Sequence, residues 1–87
     1  MGSSEPPFTV FREFLPQHFS GRTAHLADDI YPAVRKRFPD LCNDTDLCTH
    51  EKPHRPEWRH QVREAIDYLH NKQHLIEHVE RGVWRFP

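Results

Sequence analysis

Five apolar side chains, Trp58, Val62, Ala65, Ile66 and Leu69, constrain the fold of this chain more than any other feature. They recur at i, i+4, i+7, i+8 and i+11, which is one stripe of an α-helix. The helix is predicted from Arg55 to Lys72, with Pro56 in its first turn, where a missing N–H costs nothing. Glu57, His60, Arg63, Glu64 and Asp67 lie opposite the stripe and Arg59 on its flank, so the outward face is polar and partly cationic. Directly afterwards come Leu75-Ile-Glu-His-Val79, then Glu80-Arg81-Gly82, then Val83-Trp84-Arg85-Phe86. Two β-prone runs around a glycine-containing turn predict a hairpin.

Upstream, Phe8, Phe11, Phe14, Leu15 and Phe19 recur at helical spacing and predict a first helix from Thr9 to His18, with Thr9 as its cap. Pro16 is expected to end or kink it. After the turn Ser20-Gly21-Arg22, the run Thr23-Ala-His-Leu26 is expected as a short extended segment paired with the hairpin. A second helix is predicted from Ala27 to Phe38. Its apolar side is Ile30, Tyr31, Val34 and Phe38, its first turn carries Asp28 and Asp29, and Arg35-Lys36-Arg37 favour its C-terminal end. Leu41 to His54 is then a long polar connection, which in a compact domain is either functional or held by something.

Helix, short strand, helix, long loop, helix, strand, strand is the order of a winged helix-turn-helix. The predicted class is therefore α+β, mostly α, with three helices and a C-terminal two-stranded wing. It would occupy residues 8–87, behind a disordered leader at residues 1–7. An 87-residue chain builds one modest core. No apolar run approaches the ~20 residues of a membrane span, and no signal peptide opens the chain, so an intracellular protein is expected.

Net charge is −1. Up to Glu51 there are five Lys/Arg against eight Asp/Glu; from Lys52 on there are seven against five. Six of the eight His lie from His50 onward. Positive potential thus concentrates on the third helix and hairpin, where phosphate contacts would be wanted. Ordinary scatter of surface charge is the competing reading.

The run Pro56-Glu-Trp-Arg-His-Gln-Val-Arg-Glu-Ala-Ile-Asp-Tyr-Leu69, then Leu75-Ile76, then Arg81-Gly-Val-Trp-Arg-Phe86, resembles the winged-helix modules of modification-dependent restriction systems. These occur beside HNH or PD-(D/E)XK nuclease domains, in Mrr-like proteins and in endonucleases that cut DNA carrying N6-methyladenine. The Asp29-Ile-Tyr … Phe-Pro39 pattern also looks like the second helix of the methyladenine-reading modules. The resemblance covers Ala27 to Phe86; its most specific parts are the Trp-x-His-x-Val-Arg helix start and the Arg-Gly-x-Trp hairpin. It implies recognition of double-stranded DNA, adenine-methylated, in a prokaryotic cytoplasm, with cleavage by a fused or partner nuclease domain. The chain itself has neither a His-Asn-His cluster with a ββα pattern nor an Asp…Glu-x-Lys on strands, so a binding domain and not an enzyme is expected. The alternatives are a protein-interaction winged helix and a zinc-stabilised structural module.

Reading DNA requires cations and backbone N–H groups on phosphates and side chains on base edges. The start of the third helix is the natural reader. The candidates are Arg59 and Arg63 for guanine or phosphate, His60 for a base edge, and Arg55 as a further DNA-binding residue. Glu57 would accept from cytosine N4, although capping is the commoner role of a Glu in a first turn. Trp58 is expected in the core first, and against an adenine methyl second. In the wing, Arg81 and Arg85 would reach the backbone or minor groove, while Trp84, alternating with Arg85, is expected in the core. Arg35 and Lys36 are either phosphate contacts or solvated surface.

Cys42, Cys48, His50 and His54 form a second constellation, spaced C-x5-C-x-H-x3-H, with His60 as a substitute ligand. Four such side chains suit tetrahedral zinc, but the spacing is unlike a zinc knuckle. The competing expectation has Cys42 as a small buried apolar group and the other three exposed. No cofactor is required for the binding function.

Overall fold

The computed structural model describes residues 6–47, 49 and 54–87. The expected disordered leader therefore falls, at residues 1–5, outside the described residues. Helix α1 spans Pro7–His18, starting two residues before the expected Thr9. Pro7 occupies the first turn, where its fixed φ is already helical, and extended Pro6 precedes it. Thr9 is thus inside the helix, its N–H donating to the Pro6 carbonyl at 3.0 Å, and is not the cap. Pro16 sits within α1 without ending it at once. It removes one ladder bond, yet Leu15 and Phe19 on either side are buried and hold the last turn against the core.

Strand β1, Thr23–His25, follows as expected. The second helix differs from the expected Ala27–Phe38: a π-helical turn, Leu26–Ile30, leads into helix α2, Tyr31–Arg37. Tyr31 donates its N–H to the Leu26 carbonyl five residues back. Pro32 follows with no N–H to donate, so an ordinary i→i−4 bond is impossible there. Asp29 reaches back to accept the His25 N–H at 2.8 Å, which satisfies a donor at the entry to this turn.

Pro39–Leu41 forms a single 3-10 turn. Helix α3 spans Glu57–Asp67, with Pro56 as its N-cap residue and Arg55 outside it. All five stripe residues are buried. The helix tail is a π-helical turn, Tyr68–Lys72, closed by a six-residue bond from the Leu75 N–H to the Leu69 carbonyl at 2.9 Å. His74 is left-handed there, with φ 53°, in the position that usually takes glycine.

The hairpin is β2, Glu77–Glu80, and β3, Val83–Arg85, joined by Arg81–Gly82, with Gly82 at φ 75°. The first strand starts later than the expected Leu75, because the left-handed His74 redirects the chain and Ile76 turns into the core. Val79 is the extra residue of a bulge between His78 and Glu80 and stays 52 % exposed. β3 is central, antiparallel to both β1 and β2. The described chain is thus mostly helical, three helices with a small antiparallel sheet, in the order the sequence predicts.

One core joins these elements. Phe11, Leu15 and Phe19 of the α1 segment, Ile30 and Val34 of the α2 segment, the α3 stripe, and Ile76 and Phe86 of the hairpin make it up. Phe19 stacks on Phe86 at 5.5 Å. The chain end is tied down beside it: Pro87 accepts the Gly21 N–H at 2.8 Å and the Ser20 hydroxyl at 3.1 Å. With its apolar stripe spent on this core, α3 keeps only its polar side for other partners.

Candidate nucleic-acid interface

The polar side of α3 meets the hairpin in a groove of about 330 Å³. His60, Arg63, Glu64, Ile66 and Asp67 form the helix wall, Gly82 and Trp84 the hairpin wall, and Leu26 the third side. The β3 register explains the hairpin wall. Trp84 stands opposite Ala24 on one flank and His78 on the other, on the sheet face turned to the helices. It packs against the core yet stays half-buried. The expectation of a core Trp84 is therefore corrected in part: Phe86 takes the deep position, and Trp84 presents surface to the groove. Its ring stacks on His78 at 4.4 Å and meets His70 edge-on at 5.3 Å.

Alternation sends Arg85 to the opposite face, where it pairs with Glu77 through its Nε at 3.1 Å and through Nη2. Arg85 is thus exposed, as the alternation with Trp84 predicts, and lies away from the groove. Arg81 is exposed in the two-residue turn, next to groove-lining Gly82. Arg55 is exposed just before α3.

On α3 itself, Glu57 accepts from Gln61 Nε2 at 2.6 Å, one turn along the helix. His60 Nε2 lies 3.4 Å from Glu64 Oε1. Arg63 Nη1 donates to the Tyr31 hydroxyl at 3.2 Å. Glu64 and Asp67 are exposed. The groove therefore offers two carboxylates, an imidazole and a guanidinium beside an indole. Such a lining repels phosphate oxygens and suits a flat ring with exocyclic N–H donors.

Trp58 is 3 % exposed, so its first expected role holds and a direct contact with an adenine methyl does not follow from its position. Its indole N–H donates to Asp44 Oδ1 at 2.9 Å. Asp44 also accepts from Arg35 Nη2 at 2.5 Å through its other oxygen. The Trp58 bond and the Arg35 guanidinium hold the Asp44 carboxyl below its ordinary pKa. Asn43 caps the same bend by accepting the Thr45 N–H at 3.0 Å and hydroxyl at 2.7 Å. Beyond it, Leu47 pairs with Pro56, and Glu57 donates its N–H to the Asp46 carbonyl at 2.7 Å. These bonds hold the described part of the long connection.

Cys48 and His50 of the candidate metal set lie outside the described residues. The two described members sit in unlike surroundings: Cys42 is 5 % exposed in the core, and His54 is exposed. Burial pushes the Cys42 thiol up, away from the thiolate that zinc binds. Among the described residues no three His, Cys, Asp or Glu side chains gather to hold a metal. Nor is any described helix long and apolar enough to cross a membrane.

Two contributors escaped the sequence. Asp44 is one acidic residue in a polar loop, and nothing local distinguishes it from Asp40 or Asp46. Tyr31 reads as apolar by its spacing, although its hydroxyl reaches Arg63 and its ring meets Trp58 edge-on at 5.5 Å. Comparison of the chain with protein-family models, with curated proteins and with solved structures gives no match to any of them.

Proposed function

We propose that this chain is a winged-helix module that recognises duplex DNA, with α3 as the reading helix and the β2–β3 hairpin as its wing. One observation carries the reading: His60 and Arg63 of α3 share a groove with Gly82 and Trp84 of the hairpin, at the foot of the exposed Arg81. A helix and ribbon converging this way can place base-reading side chains and a backbone-contacting cation on one duplex. Glu64 and Asp67 suit the exocyclic amines of adenine or cytosine.

Adenine N6-methylation is the modification read, on the strength of the resemblance of the Trp58–Arg63 and Arg81–Phe86 runs to the winged-helix modules of modification-dependent restriction systems and of the Asp29–Pro39 pattern to methyladenine-reading modules. Trp84 takes the part first given to Trp58, because it supplies the large apolar surface in the groove. Cleavage belongs to a nuclease domain fused to the chain or partnered with it.

The test is binding to short duplexes, unmethylated, hemimethylated and fully N6-methylated, at two salt concentrations. Tighter binding of the methylated forms supports the whole reading. Equal, salt-sensitive binding of all three leaves a DNA-binding module and removes the methyl part. Absence of binding at low salt replaces it with a protein-interaction role for the same face.

A further inference from the structure

Beside the groove, between the starts of α2 and α3, lies a second recess of about 270 Å³, lined by Ala27, Tyr31, Pro32, Arg35, Trp58 and Arg59. Arg35 and Arg59 line it together with an aromatic pair, Tyr31 and Trp58. Arg59 lies 5.2 Å from the Tyr31 ring centre and 5.4 Å from that of Trp58. Arg63 donates to the Tyr31 hydroxyl. Arg35 is held by Asp44, which is itself held by Trp58. Arg59 Nε is buried and finds no hydrogen-bond partner among the described residues.

We propose that this recess is a phosphodiester clamp, in which Arg35 and Arg59 hold one backbone phosphate while the α3 groove reads bases. A guanidinium resting on aromatic faces keeps its in-plane N–H donors for a planar or tetrahedral oxyanion, and the stacking fixes their direction. Stacked arginine is also less strongly hydrated than lysine, so it gives up water to a phosphate at smaller cost. Asp44 is built into the device. Its two oxygens are engaged by Trp58 and Arg35, so it orients Arg35 at the rim and leaves the recess with more positive than negative charge. The division of labour is chemical: carboxylates line the groove, where a phosphate is unwelcome, and arginines line the recess, where it is wanted.

The clamp rests on the duplex reading only for the identity of its anion, and the experiment separates the two. Duplex binding is measured against salt for the wild-type chain and for Arg35→Gln, Arg59→Gln, the two together, and Arg59→Lys. In parallel, NMR follows the Trp58 indole N–H and the Arg59 Nε–H as duplex or inorganic phosphate is added. Removing both cations, Arg35→Gln with Arg59→Gln, is expected to lower the slope of log affinity against log salt by about 0.9, the value of one phosphate contact, and each single Gln substitution by part of that, for every duplex alike. Arg59→Lys is expected to keep the slope and lose affinity, because charge remains and stacking does not.

Duplex binding with unchanged slopes and unmoved Trp58 and Arg59 signals would overturn the clamp and leave the duplex reading standing. Signals that move saturably with inorganic phosphate, when no duplex binds, would keep an oxyanion clamp and remove the duplex. If neither ligand moves them, both are overturned.

Discussion

The indole N–H of Trp58 donates to the Asp44 carboxylate at 2.9 Å, joining the first turn of α3 to the long connection before it. This bond sets where α3 starts relative to α2, because the same carboxylate grips Arg35. A buried indole N–H needs a partner, and removal of the acceptor leaves it stranded. Asp44→Ala is therefore expected to lower the thermal midpoint, and Asp44→Asn, which keeps an acceptor oxygen, to restore most of the loss. Thermal denaturation followed by circular dichroism, with exposed Asp40→Asn as control, reads this directly.

The same carboxylate gives a pH dependence whose sign is fixed. Trp58 and Arg35 lower the Asp44 pKa in the fold below its unfolded value of 3.8. The unfolded chain therefore binds the proton first as pH falls. The stabilisation is fully present above the unfolded value and is lost as pH falls through the lower, folded value. Between about pH 5 and pH 2 the wild-type thermal midpoint should drop more steeply than that of Asp44→Asn. Parallel curves over that window would mean that the carboxylate contributes nothing through its charge.

Most of the fold was legible because it is written in periodicity. The α3 stripe, the aromatic spacing of α1 and the alternation of the hairpin all concern residues that must reach one core, and burial forces the pattern into the sequence. The details that escaped are matters of hydrogen bonding. The π-helical turn before α2 follows from one missing N–H at Pro32, and the tie between Asp44 and Trp58 spans a sequence separation of 14. Of the site, α3 was readable as a helix with a polar face. That Trp84 and not Trp58 shares the groove depended on the register of β3, which Phe86 fixes by taking the deep position.

Two left-handed residues bracket β2 and predict opposite effects. His74 has φ 53° and carries a Cβ; Gly82 has φ 75° and does not. An L-residue pays roughly 1–2 kcal/mol for the left-handed region, and glycine returns part of that gain through unfolded-state entropy. His74→Gly is expected to stabilise the fold by about 0.5–1 kcal/mol. An added Cβ at Gly82 meets nothing within 4 Å, so Gly82→Ala pays the backbone term alone, about 1 kcal/mol of destabilisation. Urea unfolding of both variants, with the slope m unchanged, measures each difference.

Trp84 supplies the sharpest test of methyl reading, because the magnitude is bounded in advance. Burying one methyl group gives about 0.8 kcal/mol, which corresponds to roughly a fourfold preference for the methylated duplex per methyl contacted. A much larger preference would require the groove to close around the base. Trp84 lines the groove and its ring stacks on His78, which holds the indole in place. Trp84→Ala is expected to erase the preference and leave affinity for unmethylated duplex within about twofold, since a backbone-held complex keeps its phosphate contacts. Trp84→Phe, smaller but still flat, should retain part of it. Competition binding between methylated and unmethylated duplexes checks the ratio. An intact preference in a folded Trp84→Ala variant would move the methyl contact away from the hairpin, to α3.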